Sequence, residues 1–83
     1  MKEILRQIVS DSVKLHVPIQ SLDDDADLYA AGLESIATVH LMLAIEDSFD
    51  VEIPDRLLTR QLFSSINAMA EAITRLRNQE VMS

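Results

Sequence analysis

Three groups of side chains in this 83-residue chain have types and spacing that could do chemistry. The first is a single hydroxyl, Ser35, which follows Gly32, Leu33 and Glu34 at the point where an acidic loop gives way to an apolar, helix-forming run. A helix start leaves backbone amides unpaired and carries the positive end of the helix dipole, so a phosphoryl group attached there is electrostatically favoured. An unmodified Ser35 at that point reads as an ordinary helix cap. The second group is Asp23, Asp25, Asp27 and Glu34, which fall at positions 1, 3, 5 and 12 of a calcium-loop spacing. Position 6 of such a loop needs glycine for its sharp turn and here holds Leu28, so this reading stands as an alternative only. The third group is His16 and His40, which lack a carboxylate at relay spacing and read as surface or helix-edge residues.

The elements that must position these groups are helical. The chain is 48% apolar but has only two Phe and one Tyr, so its core must be built from aliphatic residues. One Gly and two Pro are too few for a meander of short strands. Ile4, Leu5, Ile8, Val9 and Val13 recur at offsets of three and four, predicting a helix from about Lys2 to Leu15, which Pro18 forbids to continue. Residues 17–34 form a long acidic loop anchored by Ile19, Leu22, Leu28, Tyr29 and Leu33; an ordered loop of that length is usually functional. A second helix is expected from about Ser35 to Asp50, with Ile36, Val39, Met42, Leu43 and Phe49 on its core face and Leu41 and Ile45 widening it. A short extended link at 51–55 leads to a brief helix over Arg56–Gln61. Ser64 or Ser65 caps a last helix carrying Ile66, Met69, Ala70, Ile73 and Leu76. The length allows one domain, residues 1–78, with a frayed tail at 79–83.

Charge narrows the function classes. The net charge is −7, yet residues 17–55 carry ten carboxylates, from Asp23 to Asp55, and no Lys or Arg. A one-sign field of this kind repels nucleic acid and anionic membranes and attracts a basic protein surface. The absence of cysteine excludes disulfides and thiolate metal sites. Lys2, Glu3 and Arg6 interrupt any apolar leader near the start, and no apolar run approaches the roughly 20 residues needed to span a bilayer. A cytoplasmic monomer is the expectation.

The stretch GLESIATVHLMLAIEDSFDVEIPD, Gly32 to Asp55, resembles the signature of acyl and peptidyl carrier proteins: G-x-D-S-L, an aliphatic helix, then E-x-x-F-x-[IV]-x-I-P. Ser35 is followed at the family's distances by Glu46, Phe49, Val51, Ile53 and Pro54, and the likeness extends over nearly the whole chain. The resemblance implies an all-α, four-helix acyl-carrier-like bundle: three long helices plus one short helix, with a long loop between the first and second. It implies no enzyme, and no catalytic group or metal of the chain's own. A 4'-phosphopantetheine arm from coenzyme A would be attached to Ser35 by a phosphopantetheinyl transferase, and an activated acid carried as a thioester on its imported thiol. Ser35→Ala should then abolish loading and cost the fold only the roughly 1 kcal/mol of a helix cap.

Departures from the family pattern point to a subtype. Glu34 and Ile36 stand where the family has Asp and Leu, and Ala37 and His40 stand where fatty-acid carriers are often acidic. Asp25 to Leu58 looks most like the stand-alone bacterial aminoacyl carrier proteins, which are loaded by ligases resembling a class II aminoacyl-tRNA synthetase. That likeness implies an amino-acid cargo such as glycine or alanine, an amino-acid or acyl ligase as partner, and a downstream acyl-accepting enzyme. Partner contacts are expected at Glu34, Ile36, His40 and Met42, with Arg56, Leu57 and Arg60 forming the other edge. The alternatives are an acyl carrier for a fatty-acid or polyketide type pathway, an unmodified helical interaction module that docks through Val39–Ile45, and a calcium-binding helix-loop-helix.

Overall fold

The computed structural model describes the backbone of residues 1–82 and the side chains of residues 1–78; of the expected tail at 79–83, Ser83 and the side chains before it lie outside the described residues. Helix α1 spans Lys2–Ser12, α2 spans Ala37–Phe49 and α3 spans Ile66–Met82. Three 3-10 turns occur, at Ile19–Ser21, Asp55–Leu57 and Arg60–Phe63, and there is no strand among the described residues. The bundle is all-helical as expected, but the short fourth helix at Arg56–Gln61 is replaced by the last two 3-10 turns. Thr59 separates them in an extended conformation (φ −114°, ψ 164°) and its hydroxyl accepts a bond from the Leu62 amide, which starts the next turn afresh.

Each helix contributes one aliphatic stripe to a shared core: Leu5, Ile8 and Val9 from α1, Leu41, Ile45 and Phe49 from α2, and Ile66, Met69, Ile73 and Leu76 from α3. At about 1.5–3 kcal/mol for each fully buried large aliphatic side chain, this cluster is the dominant stabilising term. Helix α1 ends at Ser12 rather than Leu15, because Val13 is already extended and the His16 amide leaves to donate to the Ala31 carbonyl at 2.8 Å. Ser65 is the cap of α3: its hydroxyl accepts from the Ala68 amide at 3.0 Å.

The long loop is held by named contacts. Ile19, Leu28 and Leu33 are buried in the core. Arg6 donates to the Ile19 carbonyl at 2.7 Å and to the Asp24 carboxylate at 2.6 Å, tying the loop to α1. The Leu28 amide donates to the Ser64 carbonyl at 2.8 Å and the Asn67 amide to the Asp24 carbonyl at 3.0 Å, tying it to the start of α3. Leu28 is thus a core residue, and the described residues bring no three His, Asp or Glu side chains together in a way that would hold a metal ion. The calcium spacing in the sequence does not become a calcium geometry.

The end of α2 accounts physically for the E-x-x-F-x-[IV]-x-I-P pattern. Asp50 ends the helix in the left-handed region (φ 52°, ψ 50°), and its amide donates to the Glu46 carbonyl. The Glu46 carboxylate then accepts from the Ile53 amide at 2.8 Å. Phe49, Val51 and Ile53 enter the core beside it. Glu46 therefore acts as a clasp that fixes the link through which the chain reaches the second 3-10 turn.

Candidate functional site

Ser35 sits at the entry to α2. The chain approaches through Gly32, whose φ of +116° favours glycine, and His16 packs so closely on it that an added Cβ would lie 2.9 Å from the imidazole. The entry itself is tightened by short-range bonds: the Ala37 amide donates to the Glu34 carbonyl at 3.0 Å and the Thr38 amide to the Ser35 carbonyl at 3.2 Å. The Thr38 hydroxyl also donates to the Ser35 carbonyl, at 2.6 Å. Ser35's carbonyl is thus occupied twice, whereas its hydroxyl caps nothing. The residue preceding the helix is Ile36, and no side chain caps α2. The expected Ser35 cap is absent because the first turn starts a residue earlier: the Ala37 amide bonds the Glu34 carbonyl, which encloses Ser35 and Ile36 within the turn. The result is an exposed primary hydroxyl that no side chain or backbone group engages among the described residues.

Beside it opens a cleft of about 430 Å³ between α2, the loop and the third 3-10 turn, lined by Ser35, Thr38, Met42, Tyr29, Arg60 and Phe63 among others. The Arg60 guanidinium lies over the Tyr29 ring at 4.0 Å from its centroid. Burial raises the Tyr29 phenol above its ordinary value, with Arg60 partly opposing the shift and Asp27 adding to it, so the phenol is neutral at physiological pH. Arg60 is the sole charged side chain lining this cleft among the described residues.

The structure brings together some of the sequence-selected residues and separates others. Ser35, Met42 and Arg60 share the cleft. Glu34, Ile36 and His40 are exposed beside it. Arg56 and Leu57 instead line a second cleft of about 260 Å³ with Leu62, Ala68 and Arg75. The single partner edge expected for Arg56, Leu57 and Arg60 is therefore split, because the extended Thr59 turns Arg60 away from the preceding 3-10 turn. The apolar face of α2 also differs from expectation: Ile36 is 73% exposed, Val39 52% and Leu43 55%, while Leu41, Ile45 and Phe49 alone are buried. Core packing does not account for Val39 and Leu43; they form an outward apolar stripe with Ile36. Tyr29, Thr38, Thr59 and Phe63 were missed as site residues. Of these, Tyr29 carried a signal, as the only tyrosine, placed six residues before Ser35 in the loop that feeds α2.

The helical bundle thus presents an exposed serine at a helix entry, beside a cleft. The chain belongs to the phosphopantetheine-attachment family, described as "Phosphopantetheine attachment site", which matches residues 3–73. It is 47% identical over 73 residues to the aminoacyl carrier protein of Agrobacterium fabrum, covering 88% of this chain and 88% of that protein. It is 38% identical over 55 residues to the D-alanyl carrier protein of Streptococcus sanguinis, covering 65% of this chain and 70% of that one. Among solved structures it superposes with a TM-score of 0.86 and 46% identity on a chain of an engineered Bradyrhizobium japonicum glycine:carrier protein ligase complexed with carrier protein from Agrobacterium tumefaciens and AMP. That match covers 89% of this chain and 99% of the other.

Proposed function

We propose that the chain carries an amino acid as a thioester on a 4'-phosphopantetheine arm joined to Ser35, with residues 1–78 acting as one carrier domain. The observation that carries this reading is the exposed Ser35 hydroxyl, unpartnered among the described residues and at the mouth of a cleft, in a chain whose relatives are carriers of amino acids. The residues present suit the group: an unengaged nucleophile, a helix entry without a side-chain cap, and one guanidinium facing the same cleft for an anionic phosphodiester.

In the attachment step the Ser35 oxygen attacks the pyrophosphate of coenzyme A, a new phosphorus–oxygen bond forms, and the nucleoside bisphosphate departs. The serine proton passes to a base of the transferase. Ser35 needs no internal base, and His16 and His40 lie exposed without a hydrogen bond to it. The chain itself is therefore read as a non-enzyme that works in the cytoplasm; among the described residues no helix is long and apolar enough to cross a membrane.

Partners follow from the surface. Glu34, Ile36, His40 and the outward stripe of Val39 and Leu43 lie within three turns of Ser35 and offer a contact face for the transferase and for an amino-acid ligase of the aminoacyl-tRNA synthetase-like kind. The first half of α2 carries no carboxylate, which disfavours recognition by enzymes that read acidic carriers. The relatives' names point to a small amino acid, glycine or alanine, as cargo.

The test is intact mass before and after incubation with coenzyme A and a broad-specificity phosphopantetheinyl transferase. One added phosphopantetheine located on Ser35 by fragmentation, and none on Ser35→Ala, is the expected result. Unmodified wild-type protein beside an active control carrier overturns the assignment. Because Ser35 caps nothing, S35A should unfold within about 0.5 kcal/mol of wild type, less than the cost of a lost cap.

A further inference from the structure

The cleft beside Ser35 combines an apolar floor with one fixed cation. Val39, Met42, Leu58 and Phe63 supply the floor, Thr38 and Thr59 the neutral polar groups, and no carboxylate lines it among the described residues. Asp27 is turned to its own turn, where it accepts from the Tyr29 amide at 2.9 Å, and Glu34 stands exposed beside the cleft without lining it. The face of the Tyr29 ring would welcome a cation, but Arg60 covers that face at 4.0 Å. A small amino acid held as a thioester carries an ammonium, since an α-amino group is protonated below about pH 7.5. The cleft therefore offers that ammonium a like charge, a blocked aromatic face and no counter-ion. An uncharged acyl group of the same size meets none of these obstacles and gains from apolar burial.

We infer that Arg60 sets the position of the loaded arm: its guanidinium engages the arm's phosphodiester beside Ser35 and keeps a cationic aminoacyl group out of the cleft, so that an amino acid is displayed to solvent where a neutral acyl group would be sheltered. This rests on Ser35 as the attachment residue. Arg60 is a positioning residue here, acting through charge on the arm and its cargo.

The experiment compares two loaded forms of the full-length protein, prepared from amino-coenzyme A so that the cargo is held by a stable amide. One carries glycyl and the other propionyl, which match in size and differ in the ammonium. At pH 6.5, proton NMR is read for contacts from the cargo methylene to the Met42 methyl and the Phe63 ring, and for the Arg60 Nε–H resonance before and after the arm is attached. The expected result is a displaced Arg60 resonance in both loaded forms, cleft contacts for propionyl, and none for glycyl. In Arg60→Gln, which removes the charge and uncovers Tyr29, glycyl contacts should appear with occupancy raised roughly tenfold.

An unmoved Arg60 resonance, equal cleft contacts from both cargoes in the wild type, or no contacts from propionyl each overturns the inference. Because Arg60 is exposed, the glutamine variant is expected to fold; the wild-type comparison decides the matter even where it does not. Mass spectrometry separates the two levels of argument. No gain of mass overturns the attachment reading and this inference together, whereas an attached arm with an indifferent Arg60 overturns this inference alone.

Discussion

Gly32→Ala is the substitution that most directly tests how the serine-bearing turn is held. Two separate costs meet at this position. The backbone φ of +116° lies where side chains are rarely accommodated, and holding a residue in such a region costs about 1–3 kcal/mol. The added methyl would also stand 2.9 Å from His16 Cδ2, 3.0 Å from Nε2 and 3.2 Å from Cγ, inside normal contact with most of one ring edge. His16 is exposed, so its ring can swing away, which limits that part to about 0.5–1 kcal/mol. The sum is about 1.5–4 kcal/mol, a large fraction of the roughly 4–12 kcal/mol available to a domain of this length. Urea unfolding followed by helical circular dichroism measures it, and a double-mutant cycle with His16→Ala separates the two costs. The double variant should recover only the ring-contact part. G32A stability within about 0.5 kcal/mol of wild type would refute the reasoning, and full recovery by H16A would show that the backbone dihedral costs nothing. Because Gly32 is three residues before Ser35, the same variant should also be a poorer transferase substrate at temperatures where it stays folded.

Three further outcomes are expected. Glu46→Ala removes the clasp on the Ile53 amide and should destabilise by about 1–3 kcal/mol in urea unfolding, with Glu46→Gln losing less than half of that because its carbonyl oxygen still accepts; equal losses would refute the clasp. Asp50→Gly should stabilise by about 0.5–1 kcal/mol, since the left-handed helix end is held there by a residue with a Cβ; a destabilised variant would mean that the Asp50 side chain contributes something not visible in its contacts. The Arg6 hydrogen bond and, less strongly, Lys2 hold the Asp24 carboxyl below the usual aspartate value against a smaller opposing effect of burial. A depressed native pKa contributes stability that is present above the unfolded value of about 3.8 and is lost as pH falls through the lower native value. Asp24→Asn should therefore flatten the acid limb of the stability profile below about pH 4, and an unchanged limb would count against the pair.

Much of this was legible in the residues because each core stripe obeys helical spacing and the Gly32–Asp55 motif is long. What stayed hidden has physical causes. From Ala37 to Ile45 only Thr38 and His40 are polar, so the apolar pattern runs nearly all the way round α2 and does not fix which side faces inward. Val39 and Leu43 were placed in the core for that reason, and it took the packing of Leu41, Ile45 and Phe49 against the other helices to set the rotation. The Ser35 cap failed for a similar reason: a cap position depends on where the first turn closes, and the residue types do not say that it closes on the Glu34 carbonyl. The Arg60–Tyr29 contact joins positions 31 apart, and no spacing rule reaches that far.

The two backbone bonds that fasten the loop to the start of α3, from Leu28 to Ser64 and from Asn67 to Asp24, bear on how the molecule opens. A loop tied only to itself would breathe on its own, exposing its amides to exchange without disturbing the helices. Here the Leu28 and Asn67 amides are shared between two parts of the chain far apart in sequence, so neither can exchange unless the loop parts from the start of α3. These amides should exchange with the slowest unit of the domain, while those at the uncapped entry to α2 exchange with the fastest. Ser35 thus stands at a seam between a loop fastened to α3 and a helix end held only by its own short-range bonds. Partners can remodel the serine's immediate neighbourhood at little cost without loosening the ground on which it stands.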